Sequence, residues 1–411
     1  MRIHRLTGSL LATGILAALS APATATATAT DGAARTDRWT GTWASAVQRP
    51  MGATWQGGNW SLDGFANSSL RQVVRISAGG SQLRVRLSNR YGTGPLRLTG
   101  ATVAKAGPGA STVPGTTRNL TFRHVPSVAV PAGQDAVSDA TPLRTTALER
   151  LTITLYFATP TGPATFHESA AATTYRASGD HRADPSAGAF QDESHSSYYL
   201  TGVDVAGTST RSAVVAFGDS ITDGVSSTRN ADNRYPDQLA ERLAASGRRL
   251  SVVNAGLSGN RLLADSDCCG VSALHRFRHD VLSQPGVRTV IVSQGLNDLG
   301  FNPDVTAAQL IAGHRQLITA AHRHGVRIVG GTITPMKGSM LDSARGELVR
   351  QQVNRWIRTS GEYDAVVDFA AVLADPADPT ALRAGYDAGD ALHPNDAGLA
   401  ALAAAIDLTS L

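Results

Sequence analysis

Hydrophobic and polar positions alternate along residues 72–77, 82–88, 96–103 and 151–157, the last reading Leu-Thr-Ile-Thr-Leu-Tyr-Phe. A period of two sends successive side chains to opposite faces of a sheet, so each stretch predicts a half-buried strand. Gly79-Gly80 and Tyr91-Gly92-Thr93-Gly94 punctuate them as turns. Several short strands without helical periodicity predict an antiparallel, sandwich-like β domain over residues 31–205. Trp39, Trp43, Trp55 and Trp60 gather at its start. Packing, or docking onto a second domain, accounts for them more simply than a sugar-stacking platform. Residues 203–212, with Gly207 and several Thr and Ser, predict a linker.

Beyond the linker the period changes. The apolar run at 213–217 predicts a strand buried on both faces, as in a parallel sheet. Further strands are expected at 251–254, 289–293, 327–332 and 365–368. Helices are expected at 235–245, with Leu239 and Leu243 on one face, and at 307–324, 343–358 and 396–406. Strands alternating with helices predict an α/β domain over residues 206–411, a parallel sheet covered on both sides.

The amino terminus stands apart. Arg2, His4 and Arg5 precede an apolar run at 10–19, followed by small residues and an Ala-Thr repeat. Residues 1–30 therefore predict a secretory signal, with cleavage sites such as Ala23-Thr24-Ala25. The run is too short to span a bilayer, so a secreted, extracellular protein without integral membrane association is expected. Export bears on Cys268 and Cys269, the only cysteines and adjacent in sequence. Neighbouring Cα atoms lie about 3.8 Å apart, below the usual disulfide range, so a vicinal bridge needs a distorted turn. Gly270 could help to provide one, and two buried thiols are the alternative. The formal net charge of +4 is only mildly basic, and no basic block with interleaved aromatics occurs. Nucleic acid is excluded on that ground. Lys105 and Lys337 are the only lysines. This points to codon usage rather than to a phosphate-binding surface.

Candidate chemistry lies at the carboxyl ends of the predicted strands, where open α/β sheets bind ligands. The first strand runs into Gly218-Asp219-Ser220-Ile221-Thr222-Asp223-Gly224. Alone, such a serine most often caps a helix. Further motifs follow: Asn254-Ala255-Gly256-Leu257-Ser258-Gly259-Asn260, Gln294-Gly295-Leu296-Asn297-Asp298 and Asp390-Ala391-Leu392-His393-Pro394. A hydroxyl needs a base within reach to act as a nucleophile. His393 is the candidate base, and Asp390, three residues earlier, could fix its tautomer. Pro394 disfavours helical backbone at His393, which predicts an extended loop before the last helix. Taken singly, Asp390 and Asn395 read as helix caps and His393 as a surface histidine.

These blocks, in this order over residues 212 to about 400, resemble the SGNH, or GDSL, hydrolase superfamily. The resemblance implies a three-layer α/β/α fold and a serine carboxylic-ester hydrolase working through an acyl-enzyme. It implies Ser220, Asp390 and His393 as the catalytic residues. It also implies an oxyanion hole built from the backbone N–H groups of Ser220 and Gly259 and the side-chain amide of Asn297. Asp223 and Asp298, inside the motifs, are given loop-stabilising roles, and Arg261 is a candidate for the mouth of the cleft. No Gly-x-Ser-x-Gly elbow is present, which separates the chain from ordinary α/β-hydrolases.

No metal or organic cofactor is expected. His275 with His279, and His322 with His324, lack a third ligand at a telling spacing and read as solvated pairs. The expected substrate is a small-molecule, lipid or polysaccharide ester. A short-acyl or carbohydrate-linked ester is favoured because no long apolar lid is legible. A lipase or phospholipase acting on lipid esters is the alternative, and a carbohydrate-binding protein that has lost the chemistry a more distant one. Monomer is the default expectation. Because the base must be neutral to accept a proton, hydrolysis should climb as pH rises through about 6.5, where an ordinary imidazole titrates. A pH–rate profile flat from about pH 5 to 9 would remove the histidine from the chemistry.

Overall fold

A computed structural model describes residues 39–52, 58–210 and 212–411. The predicted signal at 1–30, and Trp55, lie outside the described residues. The described residues form one compact unit.

The β-rich part is two antiparallel sheets face to face. One contains Thr40–Ala44, Leu200–Ala206, Gln82–Ser88 and Asp135–Val137 in that order, with Thr141–Pro142 also paired to Gln82–Ser88. The other runs Asp192–Ser194, Thr174–Ser178, Ser68–Arg75, Arg150–Phe157, Gly100–Lys105, Arg118–Leu120. Leu70, Leu83, Val85, Val103, Ile153, Leu155, Phe157 and Val203 fill the space between them at no more than 1% exposure, as alternation on two facing sheets requires. Two expectations need correction. The alternating stretch 96–103 is two strands, Leu96–Leu98 paired with Val128–Val130 and Gly100–Lys105 paired with Arg150–Phe157. The expected linker begins too early, because Val203 and Val205 belong to the central strand Leu200–Ala206 and are fully buried.

Of the tryptophans, Trp60 stacks on Tyr198 at 5.7 Å and meets Phe65 edge-on at 6.3 Å, while Arg176 covers its ring. Arg84 lies over Trp39, and Trp43 packs on the sandwich core. These rings are packing elements.

The second part is a five-stranded parallel sheet in the order Leu250–Gly256, Ser212–Gly218, Val287–Ser293, Arg327–Gly331, Ala365–Val367. Its central strands carry Val214, Val215, Phe217, Val290, Ile291 and Val292, all buried, which is why they read as unbroken apolar runs. Helices Tyr235–Ala245, Ala307–Arg323, Ala344–Thr359 and Asp396–Ala405 bury their apolar faces in the same core. Thr306 starts the second of these with a full capping box to Gln309. None of the described helices is long and apolar enough to cross a membrane.

The sandwich covers one edge of the parallel sheet. Ser251 Oγ donates to the Gly41 carbonyl at 2.6 Å, and the Val252 N–H to Ser77 Oγ at 2.9 Å. The Gly41 N–H donates to the Pro285 carbonyl at 2.8 Å, and Arg86 reaches Gln284 at 2.6 Å. His279 corrects a further expectation, because it is only part-exposed and held between two carboxylates. Its Nε2 lies 2.9 Å from Asp135 of the sandwich and its Nδ1 2.7 Å from Asp280. His275 and His322 pair with Asp265 and Asp364 and stay exposed, as expected.

Burial alone would disfavour a charged His279, but the two carboxylates outweigh it and push its pKa up to about 9. The folded value lies above the unfolded one near 6.5. The stabilisation is therefore complete below about pH 6.5 and lost as pH rises through about 9. Calorimetric melting temperatures should fall over that interval, and should fall less in His279→Gln. Parallel profiles for the two proteins would refute the link.

Candidate active site

The first parallel strand ends at Gly218, and the chain turns at once into the short helix Ser220–Asp223. A Cβ on Gly218 would lie 2.0 Å from Thr222 Oγ1 and 2.8 Å from the Ser293 carbonyl, so only glycine permits this turn. Asp219 caps the helix by accepting the Ile221 N–H at 3.1 Å. Ser220 follows, 5% exposed, at the carboxyl edge of the sheet where strand order reverses.

The closing loop brings His393 to it. The peptide before Pro394 is non-helical, and Asn395 caps the helix Asp396–Ala405 through the Ala397 and Gly398 N–H groups. His393 Nε2 stands 2.9 Å from Ser220 Oγ, and Nδ1 stands 2.6 Å from Asp390 Oδ2. The other Asp390 oxygen accepts the Leu392 and His393 N–H groups at 3.0 and 2.8 Å. Partial burial would raise the Asp390 pKa. The backbone and imidazole hydrogen bonds of His393 outweigh it and hold the carboxyl below the usual range. Asp390 is thus an ionised acceptor for the Nδ1–H, which leaves Nε2 free to accept from the serine hydroxyl.

Gly259, on the loop after the strand Leu250–Gly256, and Asn297, on the short helix Leu296–Phe301, are held close together. Asn297 Nδ2 donates to the Asn260 carbonyl at 3.0 Å, and the Leu257 N–H donates to the Gly218 carbonyl at 3.1 Å. Gly259 has φ +70°, and a Cβ there would lie 2.5 Å from Cys269 Sγ. The N–H groups of Ser220 and Gly259 donate to no partner among the described residues. Asp223 accepts Ser258 N–H and Oγ–H at 3.0 and 2.6 Å, and Asp298 accepts the Leu262 and Leu263 N–H groups at 2.6 and 3.0 Å. Arg261 donates to the Asp265 carbonyl at 2.7 Å.

Cys268 and Cys269 form the vicinal disulfide, with Cα atoms 3.8 Å apart. Its loop is held on both sides, by Gln48 Nε2 on the Cys268 carbonyl at 2.8 Å and by Asn260 Nδ2 on the Cys269 carbonyl at 3.0 Å.

Arg276 was not foreseen. It is 2% exposed, with its guanidinium 4.1 Å over the Phe217 ring. Nη2 donates to the Gly218 carbonyl at 2.7 Å and Nη1 to the Ala255 carbonyl at 2.8 Å and Asp280 at 3.0 Å. Nε donates to Asn260 Oδ1 at 2.8 Å. One side chain therefore ties together the ends of two strands and the Gly259 loop. Its sole trace in the sequence is the i,i+4 spacing from Arg276 to Asp280. Burial pushes two nearby carboxyls up, Asp219 to about 7 and Asp298 to about 6. No group of three or more side chains suited to hold a metal occurs among the described residues.

Residues 216–401 match the sequence profile of the GDSL-like Lipase/Acylhydrolase family. Among solved structures, the aryl esterase of M. smegmatis aligns at 18% identity over 47% of this chain and 95% of its own, with a TM-score of 0.39. A carbohydrate acetylesterase family member from Sinorhizobium meliloti aligns at 18% identity over 47% of this chain and 94% of its own, also at 0.39. No curated protein matches the chain.

A methyl group on Gly259 would meet the disulfide in a backbone conformation that costs an L-residue about 1–2 kcal/mol before any clash. Gly259→Ala should lower the urea midpoint accordingly. An unchanged midpoint would mean that the loop yields freely.

Proposed function

We propose, from the match of residues 216–401 to the GDSL-like lipase/acylhydrolase family, that the chain is an exported serine carboxylic-ester hydrolase working through an acyl-enzyme. The observation that carries this reading is the Ser220–His393–Asp390 relay, with links of 2.9 and 2.6 Å.

His393 Nε2 takes the Ser220 proton as Oγ attacks the ester carbonyl carbon. Asp390 keeps the ring oriented and stabilises the imidazolium that forms. The oxyanion of the tetrahedral intermediate receives the unengaged N–H groups of Ser220 and Gly259 and the second amide hydrogen of Asn297. Asn297 has already committed its other hydrogen to Asn260, which fixes the direction in which the free one points. Collapse expels the alcohol as His393 returns the proton to it. Water, activated by the same imidazole, then attacks the acyl-enzyme and releases the acid.

Short-acyl esters are the favoured substrates. Ser220 is 5% exposed and the His393 side chain 16%, whereas the Asp390 side chain is 49% exposed, so only the far end of the relay opens to solvent. Export is supported by the disulfide, a bond that persists in oxidising surroundings.

Ser220→Ala should lower kcat for p-nitrophenyl acetate by at least about 10⁴-fold without shifting the melting temperature. Retained hydrolysis would sink the assignment. In a series of p-nitrophenyl acetate, octanoate and palmitate alongside acetylated xylan, kcat/KM should be greatest for acetyl esters. A rise toward palmitate would instead make the enzyme lipolytic.

A further inference from the structure

The relay and the oxyanion donors leave a buried imidazole beside Asp223 without a part. His167 belongs to the β-rich half, in the two-residue strand Phe166–His167, and is 4% exposed. Its Nε2 stands 2.9 Å from Asp223 Oδ1 and 3.2 Å from the Ser169 carbonyl. Both neighbours are acceptors, so Nε2 carries the proton. Burial favours the neutral ring. The Asp223 charge and the hydrogen bonds to Asp223 and Ser169 outweigh it and hold the pKa above the ordinary histidine range.

Asp223 closes the short helix that Ser220 opens and is 2% exposed. Its second oxygen takes both the N–H and the hydroxyl of Ser258. Ser258 directly precedes Gly259, and its Oγ also lies 3.2 Å from Ser169 Oγ. A continuous chain therefore runs from the sandwich through Asp223 to the residue whose neighbour offers the oxyanion donor. A buried carboxylate accepting two bonds from the loop needs a compensating partner on its other oxygen, and His167 supplies it.

We propose that His167 is a positioning residue for acyl transfer: by fixing Asp223 it holds Ser258, and with it the Gly259 N–H, in register with Ser220. The proposal rests on the acyl-transfer reading above. It makes the β-rich half part of the catalytic apparatus, contributing a residue that fixes the oxyanion loop. Such a role acts on the transition state more than on substrate binding, because the donor matters most once negative charge has developed.

The test compares the full-length wild type with His167→Ala, His167→Gln, Ser258→Ala and the His167→Ala/Ser258→Ala double variant, using p-nitrophenyl acetate and melting curves. His167→Ala should lower kcat by about 10- to 100-fold with KM within about 2-fold. His167→Gln, whose amide can still donate to Asp223, should recover most of the loss. The double variant should lose less than the product of the two single losses, since both act through one carboxylate. A folded His167→Ala with kcat within about 2-fold of wild type overturns the proposal, as does a loss that the glutamine variant does not relieve. Should the alanine variant fail to fold, Ser258→Ala decides alone, and full kcat there overturns the proposal. A wild type that hydrolyses no ester and takes no fluorophosphonate on Ser220 would defeat the acyl-transfer reading instead. An active wild type indifferent to His167 defeats only this one.

Discussion

A buried guanidinium must find an acceptor for nearly every donor, and Arg276 meets that demand at the carboxyl edge of the sheet. Its acceptors are the carbonyls that end two strands, the side chain of Asn260 and the carboxylate of Asp280. Moving any of these would strand a charge in the core, so the loops bearing Ser220 and Gly259 have little freedom relative to each other. Asn260 extends the constraint. Its amide grips the disulfide loop and its carbonyl receives Asn297, so three separate motifs converge on one asparagine.

The same logic joins the halves of the molecule. Asp280 passes from Arg276 to His279, and His279 to Asp135 in the sandwich. Gln48 reaches the disulfide loop, and His167 reaches the helix that begins at Ser220. Arg75–Glu241 and Arg150–Asp232 join the sandwich to the helix Tyr235–Ala245 and the segment before it, while several other contacts that cross between the halves are buried polar ones near the candidate site and the sheet edge. Polar groups in such places cost free energy unless paired, so they specify one docking geometry where apolar contact would tolerate several.

Much of this architecture was legible because periodicity is local. The helix over 235–245 matches Tyr235–Ala245, and the strand over 82–88 matches Gln82–Ser88, since each carries its full pattern within its own span. The break inside 96–103 was not legible, because its two strands alternate alike and differ only in distant partners. Short helices such as Ala273–Phe277 and Leu296–Phe301 complete too few turns to show a stripe. Ser220, Asp390 and His393 stood out through motif order, and the structure places His393 within hydrogen-bond reach of both Ser220 and Asp390. Arg276 and His167 did not stand out. Most of their partners are distant in sequence, Gly218, Ala255 and Asn260 for Arg276 and Asp223 for His167, and the spacing from Arg276 to Asp280 is the main local trace.

The strand Leu250–Gly256 lies at the margin of the parallel sheet, with the Val252 amide and the Ser251 hydroxyl turned toward the sandwich. Severed near residue 206, the α/β half would present that margin to water as an unfinished ladder of hydrogen-bonding groups. Such an edge pairs readily with another copy of itself. The β-rich half thus keeps that edge covered, and a form shortened at this point would leave a strand in search of a partner.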